Sequence, residues 1–136
     1  MQDYLQAMIA DMRAHGGQIT QGPLAGRPTL ILTSTGAKTG LSRTAVLNYS
    51  RDGDAYVVAA SKGGAPTNPG WYHNLRAHPS VTVEVNGETF DATARATEED
   101  ERTRLWSNHI EVLPNFAEYP SKTSRVIPVL VLERAA

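Results

Sequence analysis

An α+β fold, mainly β, in which about six antiparallel strands curl into a closed or nearly closed barrel flanked by helices, is what this sequence predicts. Three observations predict it. Short β-branched or apolar runs follow one another with few residues between them. Two of the connections carry tight-hairpin signals, Asp52-Gly53 and Asn86-Gly87. Helical spacing or a helix start marks only three stretches. Strands joined by hairpins pair antiparallel, and a small domain with this many strands removes its open edges by closing.

Leu5, Met8, Ile9 and Met12 fall on one face at helical spacing, so residues 3–14 read as an amphipathic helix ended by His15-Gly16-Gly17. Packing against the core is the expected role of that face. The lysine- and arginine-rich polar face of a membrane-surface helix is missing, while lining an apolar substrate mouth stays open. After the turn-rich Gly22-Pro23-Leu24-Ala25-Gly26, strands are expected over Thr29 to Ser34, Thr44 to Tyr49 and Ala55 to Ala60. Asn68 reads as an N-cap, with Pro69 opening a short helix that runs to about Ala77 and stops before His78-Pro79. Val81, Val83 and Val85 alternate with Thr82 and Glu84, and Thr89 to Ala96 returns after the Asn86-Gly87 turn. Thr97 is the expected cap of a helix whose first turn, Glu98 to Glu101, suits the helix dipole. Pro114 and Pro120 bracket a loop, and Ile127 to Leu132 is the last strand.

The 136 residues, 40% of them hydrophobic, make one domain over 1–136, large enough for a real core and too short for two. A net charge of −1 gives no electrostatic case for nucleic acid. The absence of cysteine excludes disulfides, thiolate metal ligands and a cysteine nucleophile. His15, His73, His78 and His109 show no metal-ligand spacing, so they read as surface or structural residues and no metal is expected. No apolar run reaches membrane-spanning length and no signal-peptide layout opens the chain, which makes a cytoplasmic location the expectation.

Two loops carry the chemistry. The first, Ser34 to Arg43, packs two cations (Lys38 and Arg43), four hydroxyls and two glycines into ten residues. It reads either as a cradle for phosphate or carboxylate or as a solvated hairpin loop, and it lacks the glycine spacing of a nucleotide-binding P-loop. The second, Ser61 to Tyr72, leaves a strand through Lys62-Gly63-Gly64 and enters a helix. Its glycines permit close backbone approach, its amides and Lys62 can face an anion or a ring carbonyl, and the helix start adds a partial positive charge. Trp71, Tyr72 and Asn74, on the first turns of that helix, either border a planar ligand or pack into the core. Ser61, Tyr49 and Tyr119 are the hydroxyl donors to consider.

Thr35-Gly36-Ala37-Lys38-Thr39-Gly40 with Arg43, Asp52 through Gly64, Asn68-Pro69-Gly70-Trp71-Tyr72-His73-Asn74-Leu75 and Thr123 through Val129 together resemble the deazaflavin-dependent nitroreductase family of actinobacteria. The resemblance runs in order from about residue 29 to 133. It implies a split β-barrel of the FMN-binding type and coenzyme F420, a reduced 8-hydroxy-5-deazaflavin with an oligoglutamate tail, as hydride donor to quinones, nitroaromatics or activated enones. By motif, Lys38, Thr39 and Arg43 would hold the phosphate and tail. Ala60, Ser61, Lys62, Gly63 and Gly64 would border the ring, and Pro69, Trp71, Tyr72 and Asn74 would complete its pocket. A deazaflavin has carbon where a flavin has N5 and so passes hydride. The protein then needs only a donor for the oxygen on which charge develops, with Ser61 first and Tyr49, Asn48 and Tyr119 behind it.

Two other readings keep the same residues: a pyridoxamine-oxidase-like enzyme loaded with FMN, and a non-catalytic protein that binds the coenzyme or another anion. The expected partner is a small-molecule acceptor. Membrane contact is expected only through a lipophilic quinone, and a monomer is expected with a dimer left open.

Overall fold

The computed structural model describes residues 2–22, 25–65, 67–123 and 125–135. Its elements are α1 (Gln2–Ala14), β1 (Thr29–Thr35), β2 (Ser42–Asn48), β3 (Ser50–Asp52), β4 (Ala55–Ala59), a 3-10 turn (Lys62–Gly64), α2 (Gly70–Ala77), β5 (Ser80–Val85), β6 (Glu88–Ala96), α3 (Glu99–Val112), a 3-10 segment (Pro114–Lys122) and β7 (Val129–Arg134). Seven strands make one antiparallel sheet in the order β2-β1-β5-β6-β7-β4-β3. The two end strands are separated by Tyr49 alone, so the sheet curls back on itself as a split barrel.

There is one strand more than the run Thr44 to Tyr49 predicts. At Tyr49 the chain turns the corner: its N–H donates to the Pro28 carbonyl at 3.1 Å, and the next residue, Ser50, already pairs with Val57 across β3 and β4. Asn86-Gly87 forms its turn as read, whereas at Asp52-Gly53 the two-residue turn falls one residue later, on Gly53-Asp54, because Asp52 still pairs with Ala55. Asn86 and Gly87 take φ of +52° and +81°, the double positive φ that a type I′ turn requires.

Burial explains why some strands read as continuous apolar runs and others alternate. Leu30, Leu32, Val58, Val81, Val83, Leu130 and Leu132 fill the barrel interior with Tyr49, Tyr56 and Phe90. On the outside, α1 covers Ile31 with Ile9 and Met12, joined by Ile19 from the segment that follows the helix, and α3 covers Val57, Val129 and Val131 with Leu105. β1, β4 and β7 are therefore apolar on both faces, whereas β5 and β6 expose one face and alternate. The N-terminal helix packs on the barrel wall. Its two buried side chains, Ile9 and Met12, contribute roughly 1.5 to 3 kcal/mol each, and its exposed Arg13–Glu84 pair at 3.0 Å adds little.

The α3 cap differs from expectation. Glu98 stands at the N-cap without a side-chain bond, and the Thr97 hydroxyl instead donates to the Val129 carbonyl at 2.8 Å. A cross-strand acceptor thus wins Thr97 from the helix. Of the histidines, His109 is fully buried, shares a 2.7 Å hydrogen bond with the Ser50 hydroxyl and lies against Trp106 and Phe116. Burial lowers its pKa to about 4. Among the described residues no helix is long and apolar enough to cross a membrane, and no cluster of His, Asp and Glu is placed to hold a metal.

Candidate functional site

Strand register decides which loops meet. Thr35 pairs with Ser42 at one end of β1–β2, Ser80 pairs with Thr93, and Ala59 pairs with Val129. The 36–41 loop, α2 and the 61–65 turn consequently gather at one rim of the barrel. The Asn86-Gly87 turn marks the other.

On this rim the β1–β2 loop is closed by its own backbone, Gly36 N–H to Leu41 O at 2.8 Å and Gly40 N–H to Gly36 O at 2.9 Å. A Cβ at Gly36 would sit 2.7 Å from the Thr39 hydroxyl and 3.2 Å from Leu41 O, so glycine is needed for this closure. Asn74 of α2 ties the loop down: its Oδ1 accepts from the Ala37 N–H at 2.9 Å, and its Nδ2 donates to the Ser34 hydroxyl at 3.4 Å. Between loop and helix lies a cleft of about 280 Å³ lined by Lys38, Thr39, Arg43, Gly70, His73 and Asn74. A neighbouring one of about 370 Å³ adds Ser34, Thr44, Ala45 and Trp71. The clefts share Arg43, Gly70 and Asn74.

The ion pairs among the described residues use Arg13, His15, Arg95, Arg104 and Arg134. None uses Lys38, Arg43, Lys62, Lys122 or Arg125. Beside the cleft, Lys38 and Arg43 therefore stand without an ion-pair partner among the described residues, an arrangement that attracts an anion. A larger cleft of about 520 Å³ lies elsewhere, lined by Arg51, Asp52, Asp54 and Arg134 with Glu133; its mixed charge gives it no such preference.

The second loop is held by a residue whose role the sequence does not reveal. Arg125 donates from Nη2 to Ser61 O at 2.8 Å, from Nε to Ala65 O at 2.9 Å and from Nη1 to Asn68 Oδ1 at 2.7 Å. Asn68 is therefore not the N-cap of α2. Pro69 takes that position with no side-chain bond, because the Asn68 amide oxygen is occupied by the guanidinium. Lys62 adopts φ +48°, a left-handed conformation that costs a non-glycine residue energy and that the surrounding contacts must hold.

The remaining residues are placed as follows. Ala60 and Ser61 are buried at the end of β4, and the Ser61 hydroxyl does not cap the 3-10 turn or bond another described residue. Gly64, at φ +84°, has its Cβ direction filled by Lys122 Cβ at 2.8 Å and Tyr119 O at 3.2 Å; the close approach it permits is to the Pro114–Lys122 segment. Tyr119 thus sits beside the second loop, its hydroxyl accepting from Asn115 at 3.2 Å. Trp71 and Tyr72 pack partly into the barrel core, and the Tyr72 hydroxyl accepts from Arg76 at 2.8 Å. Tyr49 is displaced from the group: its hydroxyl accepts from Asn86 at 3.3 Å, at the opposite rim. Asn48 donates to Thr29 and Pro28 near that same end.

A curled antiparallel barrel with a cation-bearing cleft on one rim defines a small-molecule-binding barrel, and the comparisons make it an oxidoreductase. The chain belongs to the F420H(2)-dependent quinone reductase family, whose model matches residues 5–134. It is 46% identical over 125 residues to the F420H(2)-dependent quinone reductase Rv1261c of Mycobacterium tuberculosis, covering 90% of this chain and 84% of that protein. A solved structure of an F420-H2 dependent reductase, FDR-A, is 42% identical with a TM-score of 0.73, covering 79% of this chain and 95% of that one. A solved domain-swapped dimer is 35% identical with a TM-score of 0.75, covering 97% and 98%. The resemblance read from the loop motifs, the split-barrel fold and F420 as reductant all stand on these findings.

Proposed function

We propose that the protein seats reduced F420 on the cationic rim and passes hydride to a quinone, with activated enones and nitroaromatics as further acceptors. The observation that carries this reading is the convergence, on one rim, of Lys38 and Arg43, which form no ion pair among the described residues, with the Ser61 hydroxyl, which bonds no described residue. The residues present suit the coenzyme. An anionic phosphate and oligoglutamate tail needs cations without carboxylate partners, and a planar ring needs open space such as the cleft lined by Trp71, Gly70 and Asn74.

Bound there, the deazaflavin supplies hydride from the carbon that replaces a flavin's N5. Lys38, Thr39 and Arg43 hold the anionic end by charge-assisted hydrogen bonds. Ala60, Ser61, Lys62, Gly63 and Gly64, with Pro69, Trp71, Tyr72 and Asn74, orient the ring. Ser61 donates to the quinone oxygen on which negative charge develops, and Tyr119 stands behind it. Overall, reduced F420 would give up a hydride and a proton to the quinone, which would leave as hydroquinone with oxidised F420 as the other product.

A monomer is the proposed working unit. Sedimentation at assay concentration tests that point, since a relative forms a domain-swapped dimer. The activity is tested by mixing the purified protein with reduced F420 and a panel of a benzoquinone, a naphthoquinone, a cyclic enone and a nitroaromatic. Acceptor-dependent reappearance of oxidised deazaflavin absorbance is the expected result. Binding without turnover on every acceptor would overturn the reading.

A further inference from the structure

We infer that Arg125 is a positioning residue for hydride transfer, holding the exit of β4, the 3-10 turn and the entrance of α2 in one arrangement through a single guanidinium. The inference rests on the proposed function, which places the reacting ring beside this turn.

The three acceptors are separated along the chain but meet at one side chain. Ser61 O marks where β4 ends, Ala65 O closes the 3-10 turn, and Asn68 Oδ1 lies two residues before α2 begins. Five donors in a rigid plane are what such a junction requires, and lysine has no equivalent. The junction also reaches the first loop. Asn68 leads into α2, α2 carries Asn74, and Asn74 bonds Ala37 and Ser34. One guanidinium thereby couples the turn proposed for the ring to the loop proposed for the anionic tail.

The strap that carries Arg125 is itself fixed. Arg102 of α3 donates from Nε and Nη2 to Ile127 O at 3.0 and 2.7 Å. Ala60 N–H donates to Pro128 O at 2.9 Å, and Arg125 N–H bonds the Thr123 hydroxyl at 3.3 Å. Arg125 has no part in the ion pairs among the described residues and spends its hydrogen bonds on carbonyl and amide oxygens. A salt bridge would explain an arginine whose task is surface stability; three loop acceptors and a left-handed Lys62 beside them point to alignment.

A misplacement of about 1 Å in the reacting geometry costs on the order of a hundredfold in rate. Arg125→Lys keeps the charge on a somewhat shorter side chain and loses the fork. It is expected to lower the single-turnover rate of hydride transfer to a naphthoquinone about tenfold or more, with the dissociation constant of F420 changed less than about threefold. In the coenzyme-free variant, amide exchange at Gly64 and Ala65, which bond Ser61 O and Lys62 O, should quicken. Arg125→Ala should regain rate on adding guanidinium ion but not methylammonium. An active wild type with an equally fast Arg125→Lys, or a rate loss matched by equal loss of affinity and not rescued by guanidinium, overturns the inference alone. A wild type that reduces no quinone overturns the proposed function and this inference with it. Where Arg125→Ala does not fold, Arg125→Lys decides.

Discussion

The side-chain carbonyl of Asn74 accepts the backbone N–H of Ala37 at 2.9 Å, so the first turns of α2 hold the β1–β2 loop in place. Lys38 follows Ala37 directly, and its ammonium is presented from that tethered backbone. Asn74→Ala removes the tether without removing a charge. Coenzyme affinity is expected to fall about three- to tenfold, in keeping with loss of one hydrogen bond to a loop, and the slope of affinity against salt should stay that of wild type. A fluorescence titration of F420 at two ionic strengths measures both quantities.

Lys38→Ala makes the complementary case. It removes a cation that no carboxylate of the described residues pairs with, and a charge-assisted hydrogen bond is worth roughly 1.5 to 3 kcal/mol. F420 should bind about tenfold or more weakly, and the remaining affinity should depend less steeply on salt because one screened attraction is gone. An affinity equal to wild type at low salt would remove Lys38 from the site.

How far the sequence reveals this rim depends on the range of the interaction. The 34–43 and 61–72 loops are legible because glycines, cations and hydroxyls are local signals, and the β5–β6 hairpin is legible because alternation and Asn86-Gly87 are local too. β3 is not, since Ser50, Arg51 and Asp52 carry no apolar period. Asn68 and Thr97 have the right chemistry for helix caps, but partners 57 and 32 residues away claim them. Arg125 stands inside a legible motif, yet its partners lie 57 to 64 residues off, and no spacing rule connects them. Tyr49 and Tyr119 look alike as hydroxyl donors in the sequence; only the strand register puts one at each rim.

Stability should respond to acid through His109. Its pKa in the folded protein is lowered to about 4 by burial, whereas in the unfolded chain it lies near the ordinary value of about 6.5. Above that value both states hold the neutral ring and no penalty exists. As pH falls from about 6.5 towards 4, the unfolded state takes up the proton and the folded state refuses it, so stability drops by about 2 kcal/mol at pH 5 and about 3 kcal/mol near pH 4. The carboxylates of Asp11, Asp52, Glu88 and Glu101, whose pKa values are lowered chiefly by hydrogen bonds, add their own losses as pH falls below about 5. Urea unfolding of wild type and His109→Gln at pH 7 and pH 5 separates the terms. The variant should be less stable at pH 7 and should lose much less than wild type between the two.

Ser61 separates chemistry from binding. Its carbonyl is structural, accepting from Gly64 N–H at 2.9 Å and Arg125 Nη2 at 2.8 Å, and alanine retains it. The hydroxyl bonds no described residue, so Ser61→Ala should leave the fold and the turn as they are. If that hydroxyl donates to the quinone oxygen as charge develops, its loss should slow hydride transfer by on the order of 100- to 1000-fold, the usual cost of one preorganised donor. Ground-state affinity for F420 should change less than about threefold, since the donor acts on the transition state. Stopped-flow transfer at saturating reduced F420 reads this step directly. A rate within about threefold of wild type, set against the expected loss of one donor, would move the donor's role to Tyr119. That residue lies beside Gly64, where Tyr49, bonded to Asn86 at the far rim, cannot reach.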